Sequence, residues 1–135
     1  MIFSMRILLS LCLFLTVAGG TQAQPMVFPA PSGKTDAPTL VVYSSLDEPL
    51  AMPMIAGFQK ANPDVAVSYE DMLTSEIYDR IVRETDAGEK TADFAFSSAM
   101  DLQVKLSNDG YAQRSDLPMS DRWPAWANWR NTAYA

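Results

Sequence analysis

The 135-residue chain carries 10 basic and 16 acidic side chains, one cysteine and no histidine, for a formal charge of −6. Its few Lys and Arg are scattered among carboxylates, which argues against nucleic acid as a partner because no basic stripe exists to neutralise phosphates. The missing histidine removes the side chain most used for acid–base work near neutral pH and the commonest transition-metal ligand.

Arg6 supplies the single positive charge ahead of an almost continuously apolar stretch, residues 7–18, and Thr21-Gln22-Ala23 follows as a small-residue cleavage position. About 20 apolar residues are needed to span a bilayer, whereas a secretory core needs roughly 7 to 15. The pattern predicts a signal peptide over residues 1–23, cut after Ala23, and a mature chain in the periplasm that starts at Gln24. Cys12 lies inside the apolar core behind Leu11, where a lipoprotein signal would want a small residue. The mature chain then has no cysteine, so neither disulfides nor thiol chemistry belongs to its function. Loss of Arg6 leaves nine basic against sixteen acidic residues, a net −7. Residues 24–38, which contain Pro, Ser and Gly, read as a flexible leader.

From Thr39 onward strand and helix patterns alternate, with strand starts near Thr39, Val65 and Ala92, a repeat of 26 to 27 residues. Strands alternating with helices of this length imply an α/β fold of βα units with a parallel sheet. The first helix places Leu50, Met54, Ile55, Phe58 and Ala61 at helical spacing and stops at Asn62-Pro63, since proline disfavours helical geometry in the residue before it. Its start is open: Pro49 suits a first turn, but Pro53 one turn later would kink the helix or move its start forward. In the second helix Thr74 is the expected cap, and Glu76 with Arg80 and Asp79 with Arg83 form i, i+4 pairs. The third shows Ser98 and Asp101 in a capping-box spacing and stops at Asn108-Asp109-Gly110. Trp123, Trp126 and Trp129, three apart, read as a core-facing helical stripe.

Two strands end alike. Tyr43-Ser44-Ser45-Leu46-Asp47 closes the first, and Phe96-Ser97-Ser98-Ala99-Met100-Asp101 closes the third. A strand that runs into hydroxyls and then a helix start presents side-chain OH and backbone N–H groups at the carboxyl edge of the sheet, where small ligands bind. The expected ligand-binding residues are therefore Ser44, Ser45, Asp47, Ser97 and Ser98. No catalytic residue is expected: there is no G-x-S-x-G elbow, and no triad can be assembled without histidine or cysteine. Helix N-termini favour an anion while Asp47, Glu48 and Asp101 favour a cation or amine. The balance leans towards a small polar or anionic solute, or a metal held with an anion.

Leu40-Val41-Val42-Tyr43-Ser44-Ser45, the stretch from Phe58-Gln59-Lys60-Ala61-Asn62-Pro63-Asp64 to Val65, and Ala92-Asp93-Phe94-Ala95-Phe96-Ser97-Ser98 resemble the extracellular solute-binding proteins of ABC importers, in particular their ferric-iron-binding branch. The resemblance covers roughly residues 39–134 and implies a type II periplasmic binding protein fold of two lobes. Residues 39–135 would form the N-terminal part of the first lobe, so the sequence reads as truncated. Ferric-binding relatives often place a histidine after the first strand and a glutamate after the third. Here those loops carry Ser44-Ser45-Leu46-Asp47 and Ser97-Ser98, so ferric iron, with Asp47 as one oxygen ligand, stays the alternative substrate and no other cofactor is implied.

The resemblance implies a non-enzymatic binding component that captures a small-molecule or ion ligand between lobes and delivers it to an ABC permease in the inner membrane, acting as a monomer when complete. A sensory protein that feeds a membrane receptor or kinase would use the same cleft and stands as the alternative, with a secreted hydrolase behind it. Export is directly testable. Cell fractionation should recover a protein beginning at Gln24 in the periplasm, and a full-length chain held in the membrane fraction would contradict the leader reading.

Overall fold

The computed structural model of the chain describes residues 24–115 and 122–134. Residues 1–23, the expected signal peptide with Cys12, lie outside the described residues. In chain order the elements are β1 (Met26–Phe28), β2 (Thr39–Ser44), α1 (Glu48–Ala61), β3 (Ala66–Asp71), α2 (Thr74–Asp86), β4 (Phe94–Phe96), α3 (Met100–Asn108), β5 (Asn128–Trp129) and β6 (Ala133–Tyr134). The first four strands form one sheet in the order β1-β3-β2-β4. β2 runs parallel to β3, pairing Tyr43 with Glu70 and Ser44 with Asp71. It also runs parallel to β4, pairing Ser44 with Phe96. The expected mixed α/β architecture with a parallel sheet is present.

Alternation along the strands splits the core in two. Val42, Val67 and Tyr69 face α1, where they pack with Ala51 and Ile55. Tyr43 faces the opposite way and packs with Ile77 and Ile81 of α2 and Leu106 of α3. Burying such aliphatic side chains contributes roughly 1.5–3 kcal/mol each. The coverage is lopsided: α2 and α3 share one face, while α1 alone covers the other and leaves Phe94 and Phe96 half exposed on β4.

Residues 24–38 are not the free leader expected from their composition. Met26–Phe28 pairs antiparallel with β3, Met26 opposite Tyr69 and Phe28 opposite Val67. The side-chain amide of Gln59, buried on α1, donates to the carbonyls of Phe28, Pro29 and Val65 at 3.2, 3.0 and 3.2 Å. Three carbonyls held by one buried amide fix this segment against the helix, and Ala30 beside them is buried. The signal missed was the alternation of Met26 and Phe28, too short to rise above its prolines.

Three local expectations change. α1 starts at Glu48 with Asp47 as N-cap, Pro49 in the first turn and Pro53 inside an unbroken helix. For α2 the cap residue is Leu73, whose N–H donates to the Glu76 carboxylate at 3.0 Å. Glu76 therefore does not pair with Arg80, and Thr74 is the first helical residue rather than the cap. The tryptophans lie on no α-helix: Pro124 follows Trp123, Trp126 sits in a 3-10 turn over Ala125–Ala127, and Trp129 is in β5. Arg130 and Asn131 both take positive φ, 56° and 58°, and turn β5 back into β6, the geometry of a primed hairpin turn. Trp126 is 77% exposed, so the stripe is not core-facing.

Arg80 takes two other partners. Its Nε donates to Glu84 at 2.7 Å and its Nη1 to Glu70 on β3, while its guanidinium carbon stands 4.3 Å from the centre of the Tyr43 ring. The Tyr43 hydroxyl donates to Glu84 at 3.0 Å. Burial pushes the Glu84 carboxyl up, but hydrogen bonds from Arg80 and Tyr43 outweigh it and hold the group below its ordinary value. Burial and the Glu84 bond push the Tyr43 phenol up to about 12.

A depressed carboxylate contributes stability that is fully present above its unfolded value of 4.5 and is lost as pH falls through the folded value. Urea melts between pH 7 and 3 should show this loss, and Glu84→Gln should flatten it. Arg80→Met should cost about 2–3 kcal/mol, less than for a fully buried pair because its side chain keeps 22% exposure.

Candidate functional site

The loops after β2 and β4 share one turn chemistry. Ser44 Oγ accepts the Leu46 N–H at 3.0 Å, and Ser97 Oγ accepts the Ala99 N–H at 3.1 Å. In each, the hydroxyl at or just past the strand's end satisfies a backbone donor two residues on and redirects the chain towards a helix. The two loops are joined: the Ser45 N–H donates to the Phe96 carbonyl at 3.1 Å, and Ser45 Oγ accepts the Ser98 N–H at 3.4 Å. β3 joins the same edge, since the Met72 N–H donates to the Ser44 carbonyl at 2.9 Å.

A groove of about 570 Å³ opens along this edge, lined by Ser45, Asp47, Asp71, Met72, Leu73, Thr74, Glu76 and Ser98. Ser45, Asp47 and Ser98 stand where the sequence placed them. Ser44 and Ser97 do not line it. Ser44 is only 1% exposed, because alternation turns it towards the α1 face while its hydroxyl is engaged by Leu46; Ser97 is spent on its own turn. Asp71, Thr74 and Glu76 are site residues the sequence reading did not single out. The available signal was the end of the second strand, Glu70-Asp71 ahead of Thr74, which differs in composition from the Ser-Ser endings of the other two.

Charge distinguishes this groove. Its wall holds three carboxylates, Asp47, Asp71 and Glu76, and no lysine or arginine. The Asp47 side chain makes no cap bond, and its carbonyl instead accepts the Leu50 and Ala51 N–H groups at 2.9 and 3.1 Å. Its carboxylate is thus left to the groove. Behind the wall the Tyr69 hydroxyl donates to the Leu46 carbonyl. Burial, reinforced by the Asp71 and Asp47 charges, raises the Tyr69 phenol above its ordinary value, so it stays a neutral donor. Among the described residues no group of three metal-ligating side chains converges.

A second recess, about 130 Å³, lies between α1 and β4 and is lined mainly by hydrocarbon side chains, among them Leu40, Val42, Met54, Phe58, Phe94 and Phe96, with the hydroxyls of Ser44 and Tyr69 already engaged in hydrogen bonds. It offers little to a polar solute, which needs convergent polar groups. The polar groove is the better candidate.

The serine geometry separates packing from binding. Ser44→Ala and Ser97→Ala each leave a backbone N–H without its acceptor and should cost about 1–2 kcal/mol in thermal or urea melts. Ser98→Ala, whose hydroxyl caps nothing, should melt within about 0.5 kcal/mol of the parent. Equal destabilisation by Ser98→Ala would restore the capping role first assigned to it.

No protein-family model and no curated protein matches the chain. A solved structure does: the crystal structure of the substrate binding protein of the ABC transporter from Agrobacterium tumefaciens is 85% identical over 87% of this chain, with a TM-score of 0.82. The chain spans 34% of the length of that structure. At this identity the covered part shares its fold, and the groove belongs to a segment similar to part of an ABC transporter's substrate-binding protein.

Proposed function

We propose that the chain forms part of the substrate-binding component of an ABC importer, a non-enzymatic periplasmic protein in which the groove at the carboxyl ends of β2, β3 and β4 supplies one wall of the ligand site. The 85% identity to a substrate binding protein of an ABC transporter carries this reading, and the polar edge at the strand ends supports it. Ligands of open α/β sheets lie outside the carboxyl ends of the strands. The described part would be a type II first lobe, with the opposite wall contributed by a second lobe that closes over the solute and with an inner-membrane permease as recipient.

The charge of the wall narrows the solute. An unaccompanied anion would meet Asp47, Asp71 and Glu76 with no cationic side chain to offset them, an unfavourable encounter. A small polar solute rich in hydroxyl or amino donors fits, with carboxylates and the Ser45 and Ser98 hydroxyls as acceptors. Ferric iron would need ligands from outside the described residues, because Asp47 lacks two convergent partners.

Native mass spectrometry of the full-length protein from periplasm tests the reading. A retained small-molecule adduct is expected, and Ser45→Ala with Asp71→Asn should release it while leaving the melting temperature of the ligand-free protein within a few degrees. The 135-residue chain alone should bind the identified solute far more weakly than the longer protein, since half of the enclosing wall is missing. Equal affinity in the two, or an adduct indifferent to both substitutions, would overturn the assignment of the groove.

A further inference from the structure

We propose that Gln24 is a modification site: once the leader is removed, the new amino terminus cyclises to pyroglutamate and places an uncharged end beside the groove. The inference rests on cleavage after Ala23. Gln24 is exposed and precedes the ladder, which begins two residues later at Met26. Pro25 between them has no N–H to pair. The terminal residue is therefore a free pendant on a fixed strand, with its side-chain amide able to fold back on its own α-nitrogen.

The chemistry needs no partner. An α-amine ordinarily titrates near 7.7–8.0, so a fraction is neutral at physiological pH. That nitrogen attacks the side-chain amide carbon of Gln24. The new C–N bond closes a five-membered lactam, the bond from that carbon to the side-chain nitrogen breaks, and ammonia leaves with the proton released by the α-nitrogen. Nothing is oxidised or reduced.

Position gives the step its consequence. β1 runs antiparallel to β3 with Met26, its first paired residue, opposite Tyr69, so the chain before Met26 lies at the end of the sheet where Asp71 ends β3 and lines the groove. A free terminus would set an ammonium beside the acidic wall and could shield Asp71. Cyclisation removes that charge, as other terminal blocks do, and leaves Asp47, Asp71 and Glu76 uncompensated.

The full-length protein, exported with its own leader and purified from periplasm, gives the test through tandem mass spectrometry of its amino-terminal peptide. The expected species starts at residue 24, weighs one ammonia less than the Gln24 chain and resists stepwise amino-terminal sequencing. Gln24→Ser should start at the same position, show no ammonia loss and sequence normally, and labelling of free α-amines on the intact protein before digestion, which an already closed lactam escapes, removes ammonia loss during the measurement as an explanation. A chain that begins at Gln24 and keeps a free amine after prolonged incubation at neutral pH overturns the proposal. A chain that begins elsewhere overturns the cleavage reading on which it rests.

Discussion

A single guanidinium holds the groove's foundations in place. Arg80 cannot shed its charge, and burial would penalise it, yet hydrogen bonds to Glu70 and Glu84 hold its pKa above the ordinary value. It binds β3 through Glu70, its own helix through Glu84, and β2 through the face of Tyr43. Tyr43 and Glu70 are register partners on adjacent strands. Fixing that pair fixes the next one, Ser44 and Asp71, and with it the level at which the strands stop and the groove begins. The site's geometry is thus set from the α2 face by side chains that never reach it.

Much of this order was legible in the residues. Runs of Val, Tyr and Phe bounded by Ser, Asp and Pro gave β2, β3 and β4 within two residues at each start, because buried parallel strands need continuous apolar stretches. The stop of α1 before Pro63 and the stop of α3 before Gly110 followed from backbone chemistry alone. Caps were less legible. Ser98 with Asp101 has the spacing of a capping box, but Ser97, the first residue past β4, takes the available N–H of Ala99. Local spacing names several serines able to act, and only the point at which the strand stops settles which one does. Arg80 went astray for a similar reason: a helix-surface pairing with Glu76 is what one helix alone would choose, and β3 supplied a better partner.

The end-on view of the sheet was partly legible. Ser45, Asp47 and Ser98 line the groove, whereas Ser44 points into the α1 face because period-two alternation decides it regardless of its polarity. Asp71 and Glu76 entered the site only once the β2–β3 register was known, since nothing in the sequence states which strand lies next to which. The Trp123, Trp126 and Trp129 spacing misled for a backbone reason. Two positive-φ residues, Arg130 and Asn131, convert the segment into a hairpin whose Trp129 indole donates to Asn108 at the end of α3.

The attachment of β4 has a bearing on how the chain assembles. The Asp93 N–H donates to the Val41 carbonyl at 2.9 Å, and its carboxylate accepts the Val41 N–H at 2.9 Å across 52 residues of chain. Both bonds join segments that share no local turn, so they form only after a long loop has closed, and the entropy of that closure must be overcome before the contact contributes anything. β2 and β3, 27 residues apart at their starts, can pair first. The order of assembly is then β2 with β3, followed by β4, and until the last step the phenylalanines of β4 are solvent-facing on a nascent chain. Parallel sheets carry this kinetic exposure as a consequence of their topology.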